Sequence, residues 1–205
     1  MIFILKEIQR LLKAIAHCGK ILEIMNGSNI RSSYKENNFE IEFERICNKF
    51  RPVSILEIGL LDGYSLELFE KYTLKSTQIK GVDIFEDYKF KNADKDYLIQ
   101  KFINYKNVTI ENGDFFTYYK KKEEYDLIHI DISNDGDIYK FAIENYLNLA
   151  NKALLLEGGS EDRDKVEWMI KYNKTPINKY LKEISSNIDF KIIEKFPSMT
   201  IISTE

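Results

Sequence analysis

Seven short apolar runs follow residue 50, at 54–58, 78–83, 108–110, 126–131, 153–157, 190–193 and 199–202. Between the first five lie stretches whose apolar residues recur at helical spacing, at 65–72, 93–103, 115–121 and 139–148. Buried strands alternating with helices predict a parallel sheet covered on both faces. The last two runs are joined only by a short turn at Pro197-Ser198, too short for a parallel crossover, so they must pair antiparallel. The pattern predicts an α/β chain with a doubly wound, mostly parallel seven-stranded sheet closed by an antiparallel hairpin. Ligands of such a sheet lie beyond the carboxyl ends of its strands, near the switch in strand order.

Ahead of the sheet, Ile4, Ile8, Leu11, Leu12, Ile15, Ile21 and Leu22 recur at near-helical spacing. A polar stretch, NGSNIRSSYKENN, predicts a surface loop, and a helix over 40–50 ends before Pro52. The expected division is a helical preface with its loop over 1–50, acting as an oligomer or lid element, and a ligand-binding domain over 51–205. The opening MIFIL is soon broken by Lys6, Glu7 and Arg10, which predicts no stable membrane insertion. A homodimer through these helices is one expectation for them.

Charge and cysteine content narrow the partners. A net charge of −3 and a pI near 5.6 leave no broad cationic field for nucleic acid, and the KKKEE run at 120–124 reads as a solvated helix end. Cys18 and Cys47 share no metal-binding spacing, so a reduced, cytoplasmic chain with a small-molecule substrate is expected. The apolar fraction of 44% is enough for a packed core in 205 residues.

Candidate chemistry gathers where strands end. In SILEIGLLDGYSLELF, Gly59 and Gly63 stand at the strand-to-helix turn, where a missing side chain lets a ligand approach the backbone and the helix amides. A dinucleotide fingerprint would need another glycine, and Glu57 and Asp62 would repel a diphosphate. Those two acids suit a ligand carrying an ammonium group, such as the methionine part of S-adenosylmethionine. Asp83, ending the second run, can accept from both ribose hydroxyls, with Ile84 and Phe85 as apolar surface for a purine. Gly113 and Asp114 follow the third run, where Asp114 can accept from the adenine amine.

In this order, LEIGLLDG, VDIF, NGDFF and YDLIHID resemble the four motifs of the class I S-adenosylmethionine-dependent methyltransferases, from about Phe50 to the C-terminus. The resemblance implies a Rossmann-like methyltransferase fold, with the final hairpin matching the reversed strand pair of that family. The pattern of the acceptor side is similar to small-molecule O-methyltransferases acting on catechols, sugars and antibiotics.

Asp131 and Glu157 end the fourth and fifth runs on the same side of the sheet, and two such carboxylates suit Mg²⁺. The metal-dependent relatives carry an acid and an acidic or amide pair there, whereas Gly158 follows Glu157, leaving Asp135, Asp137 or water to complete a shell. Otherwise Asp131 would cap the next helix, and Glu157 would bond the amides of Gly159 and Ser160. His129 shares a strand face with Asp131 and reads either as a general base or as a satisfied core histidine. Arg163 could dock an anionic group of the acceptor, or pair with Asp162, Asp164 or Glu167. Tyr34, in the loop before the sheet, could close over the cofactor. The expected activity is methyl transfer to a hydroxyl of a small polar acceptor, such as a sugar or nucleotide-sugar, with Asp131, His129 or a metal deprotonating it. An N-methyltransferase acting on a small amine, or a non-catalytic nucleotide-binding partner protein that kept the fold, remains the alternative.

Overall fold

A computed structural model describes residues 32–85 and 93–204. Two helices precede the sheet, α1 (Ser33–Glu36) and α2 (Glu40–Phe50). The alternation then runs β1 (Ser54–Ile58), α3 (Tyr64–Tyr72), β2 (Gln78–Asp83), α4 (Lys95–Lys101), β3 (Val108–Asn112), α5 (Phe115–Tyr118), β4 (Tyr125–Ile130), α6 (Gly136–Tyr146) and β5 (Ala150–Glu157). It closes with α7 (Glu167–Lys171), α8 (Ile177–Ile184), β6 (Lys191–Ile193) and β7 (Met199–Ser203). The sheet order is β3-β2-β1-β4-β5-β7-β6, with β7 antiparallel to both neighbours and every other pair parallel. The order reverses between β1 and β4, so the carboxyl ends of those strands flank the switch point.

Period-two alternation divides the core in two. Ile55, Leu127 and Leu155 pack beneath Phe43, Phe50, Phe69, Leu98 and Phe102, while Leu56, Ile128 and Leu154 pack against Phe115, Tyr139, Tyr146 and Leu181. Burial on both faces explains why β1, β4, β5 and β7 read as near-continuous apolar runs. Helix starts follow side-chain chemistry. Asp94, Asp114 and Asp135 are the N-caps of α4, α5 and α6, accepting from backbone N–H groups two or three residues on.

Three expectations change. The segment placed in a surface loop contains α1, and its Tyr34 is wholly buried. Phe43, Ile46, Cys47 and Phe50 of α2 belong to the core over the sheet, so the compact unit begins at Ser32 and not at residue 51. Beyond β5, helical spacing predicts Val166, Met169 and Ile170 on one buried face, yet in the five-residue α7 Met169 is buried and Ile170 is 69% exposed. The α8 helix had no counterpart in the sequence reading; the Asp164 carboxylate bonds the N–H groups of Ile177 and Asn178 at its start. The N-terminal helices expected before residue 32, with Cys18 and the dimer they suggested, lie outside the described residues. Among the described residues no helix is long and apolar enough to cross a membrane.

Candidate active site at the strand tips

The β1–α3 turn requires its two glycines. Gly59 sits at φ 92° and Gly63 at φ 72°, conformations that a side chain disfavours. A Cβ on Gly59 would also land on the carbonyl oxygen of Asp131, because the Asp131 amide bonds the Ile58 carbonyl and draws the two tips together. The cofactor-side turn and the end of β4 are thus packed backbone to backbone.

Glu57 lies in register with His129 on the neighbouring strand, and both are fully buried. One oxygen of Glu57 accepts from the Ser65 hydroxyl; the other, Oε2, is buried with no partner. Nδ1 of His129 stands 3.4 Å from Glu57 Oε1, close enough for electrostatic attraction but outside hydrogen-bond geometry. Its Nε2 shares a hydrogen bond of 3.1 Å with the Tyr34 hydroxyl. The rings of Tyr34, Phe43 and Phe69 surround the imidazole at 5.6–5.9 Å between centroids. His129 is therefore a core histidine, and the general-base role considered for it is corrected: no acceptor can reach a ring enclosed on these sides. Tyr34 is likewise not a substrate contact in this conformation but a buried partner of His129. Burial and the charges of Asp131, Glu157 and Glu57 push its hydroxyl well above the usual tyrosine range, so it remains protonated. Tyr34→Phe should cost about 1–3 kcal/mol in a denaturant titration, since it leaves a buried ring nitrogen of His129 without a partner.

The remaining residues expected on the cofactor side stand at or just past the tips of β1, β2 and β3. Asp62 accepts from the Tyr64 amide at 3.2 Å at the start of α3. Asp83 Oδ2 accepts from the Leu60 amide at 2.9 Å, and Oδ1 from the Phe85 amide at 3.0 Å, so one carboxylate fixes both loops. Ile84 is 40% exposed beside it, and Phe85 is half-buried. The Gly113 amide bonds the Asp83 carbonyl, and a Cβ at Gly113 would strike Val82 and Tyr118. Asp114 is half-buried and spends Oδ1 on the Phe116 amide, leaving Oδ2 as the oxygen with spare capacity. One cation here was not foreseen: Lys101 bonds the Asp62 carbonyl at 2.6 Å and pairs with Glu67 at 3.2 Å. Its helical spacing gave no hint that α4 reaches this turn.

On the acceptor side, the metal expectation fails its test. Both oxygens of Glu157 are taken by Arg163, Nε to Oε1 at 2.5 Å and Nη2 to Oε2 at 2.8 Å, in a pair whose side chains are 5% and 7% exposed. A fork of this kind uses the carboxylate faces a metal would need and sets a fixed positive charge beside it. Asp135 is no substitute: it caps α6 and pairs with Lys174 at 2.9 Å, and Asp137 bonds the Thr175 hydroxyl. Glu157 is thus corrected from metal ligand to arginine partner, and Asp131 is left without a second ligand. The partner of Arg163 is none of the three acids expected from sequence, because the 3₁₀ turn at Arg163–Lys165 folds the side chain back onto the β5 tip. Its aliphatic and guanidinium groups also lie against Trp168, 5.2 Å from the ring centre.

Asp131 does not cap α6, since Asp135 does. Asp131 is half-buried, and its carboxylate makes no hydrogen bond or ion pair within the described residues. Burial, then the charges of Glu157 and Glu57, raise its pKa well above the ordinary aspartate range, with Arg163 opposing.

No family model matches this chain, and no curated protein matches it. Solved structures do. An O-methyltransferase of Bacillus cereus in complex with SAH matches 91% of this chain and 90% of its own, at 12% identity and a TM-score of 0.62. TomG of Streptomyces achromogenes, an O-methyltransferase involved in tomaymycin synthesis and solved with SAM, matches 94% and 90%, at 11% identity and 0.59. The SAH-bound methyltransferase PaMTH1 of Podospora anserina matches 96% of both chains, at 17% identity and 0.56. At such identities the likeness is one of fold, and the fold of this chain is that of the class I S-adenosylmethionine-dependent methyltransferases.

Proposed function

We propose that the protein is an S-adenosylmethionine-dependent methyltransferase acting on a hydroxyl of a small polar acceptor. The observation that carries this is where the unpartnered buried polar atoms lie. Among the described residues they are Glu57 Oε2, His129 Nδ1, Asn134 Oδ1 and Arg163 Nη1; besides His129, which is caged by aromatic rings, the other three lie at or just past the ends of β1, β4 and β5. Native cores leave few such atoms, and a cluster at the switch point of a doubly wound sheet is what a ligand site requires. Supporting it are the acids at the ends of β1 and β2, the one just past β3, and the glycine turn that a Cβ would fill.

In this reading Glu57 and Asp62 face the ammonium end of the cofactor, Asp83 the ribose, and Ile84, Phe85 and Asp114 the adenine. When bound, S-adenosylmethionine supplies a methyl group made electrophilic by its sulfonium. The chain contributes alignment, desolvation and a base. Well-oriented reactants can gain about 7–11 kcal/mol over free ones. Asp131, half-buried and with its proton affinity raised, accepts the acceptor's proton. The polar groups past β4 and β5, Asp131 and the Arg163 guanidinium, support a polar acceptor, with a sugar or nucleotide-sugar as the class proposed.

Calorimetry with S-adenosylhomocysteine tests the reading. The wild-type protein should bind one equivalent. Asp83→Ala should weaken binding about 10²-fold or more, since two hydrogen bonds to a charged group are worth about 1.5–3 kcal/mol each. Absence of heat with this ligand, alongside tight binding of a pyridine dinucleotide, would reject the proposal.

A further inference from the structure

The acceptor side was expected to need a divalent cation, and the structure provides a different cation in that place. Arg163 is held by its fork to Glu157, which leaves Nη1 buried and unpartnered. Asp131 lies beyond ion-pair distance of it but within reach of its charge. Asp131 and Glu157 follow the paired residues Ile130 and Leu156 on neighbouring strands, which sets the Arg163 fork beside the half-buried Asp131. A carboxylate and a fixed N–H donor at adjacent strand tips, neither with a protein partner among the described residues, supply the two halves of a hydroxyl-activating site: one takes the proton, the other steadies the oxygen that lost it.

Resting on the methyltransferase reading above, we propose that Arg163 is a catalytic residue that replaces a metal ion, donating from Nη1 to the acceptor oxygen and selecting hydroxyls over amines. The acceptor oxygen forms its bond to the methyl carbon as the carbon–sulfur bond breaks. The pair of that bond stays on sulfur, which becomes neutral, the hydroxyl proton passes to Asp131, and Arg163 keeps all its protons. An oxygen has a lone pair to spare for Nη1 while another attacks. An amine nitrogen has one lone pair, needs it for attack, and gains positive charge that a neighbouring guanidinium repels. The Glu157 fork fixes the guanidinium plane, so little ordering remains for the acceptor to impose.

The test uses 4-nitrophenol, whose phenolate is coloured, with 4-nitroaniline as the amine of the same shape. Protein saturated with S-adenosylhomocysteine and treated with a chelator should bind the phenol as its phenolate at least tenfold more tightly than it binds the aniline. Because Arg163→Met alone strands a buried Glu157, the decisive variant is the double one, Arg163→Met with Glu157→Met. It should keep its affinity for S-adenosylhomocysteine while losing at least tenfold in phenolate binding. The inference is overturned if the double variant binds phenolate like wild type, if Mg²⁺ is needed for the colour change, or if the aniline binds as well as the phenol. It is also overturned if the cofactor product binds and the phenol does not. Failure of S-adenosylhomocysteine itself to bind would instead defeat the methyltransferase reading.

Discussion

Asp131→Asn should retain S-adenosylhomocysteine binding and lose methyl transfer by about 10²–10⁴-fold, the range a positioned general base contributes. The substitution preserves shape and leaves Asp83, Glu57 and the glycine turn untouched, so calorimetry and turnover should separate. The base must be ionised to act, and its pKa is raised by burial and by Glu157 and Glu57. Turnover of the wild type should therefore rise with pH, with its midpoint above the ordinary aspartate range. The same shift fixes a stability effect of opposite sense. A carboxyl whose folded pKa exceeds its unfolded one contributes stability that is full below the unfolded pKa and is lost as pH rises through the folded value. Above its folded pKa the ionised Asp131 is thus a burden, and there Asp131→Asn should unfold at equal or higher denaturant than wild type. That advantage should vanish in acid. An equally active variant would remove Asp131 from the chemistry.

Strands β1, β4, β5 and β7 were legible because both faces of the sheet are buried there, which writes them as apolar runs regardless of what covers them, while the edge strands β3 and β6 are only partly buried. The reversed β6–β7 pair followed from the shortness of the turn between the runs. The residues proposed for the cofactor stood out for a related reason: Glu57, Gly59, Asp83 and Asp114 sit at ends of elements, where a polar residue or a glycine interrupts an apolar pattern. Side-chain partnerships across the fold carry no such local signal. That Arg163 would choose Glu157, six residues back, over its neighbours Asp162 and Asp164 depends on the 3₁₀ turn and on two left-handed glycines, Gly158 and Gly159. Tyr34 reads as part of a polar loop by composition, yet it is buried because His129 offers it a partner within a cage of phenylalanines. The α8 helix has only eight residues, and its start depends on Asp164, thirteen positions upstream of Ile177.

Arg163→Met should lower the unfolding free energy by about 3–5 kcal/mol, the cost typical of leaving one member of a buried ion pair without its partner. Glu157 has 4% of its surface exposed, and its two oxygens have no protein donor besides this guanidinium among the described residues. Its carboxylate cannot turn to water without disturbing β5, whose Glu157 backbone oxygen is gripped by Asn134 and Tyr139. It would instead take up a proton, so the single variant should recover stability as pH falls and the acid becomes neutral. Adding Glu157→Met removes the stranded charge, and two flexible thioethers can fill the vacated volume. Most of the lost stability should return in the double variant, although the catalytic donor stays absent. Equilibrium denaturation of wild type, single and double variants at neutral pH measures all three terms. If the single variant matches wild type, the Glu157–Arg163 pair is not what holds the β5 tip. If single and double variants lose the same amount, the guanidinium contributes by packing against Trp168 and not by neutralising the acid.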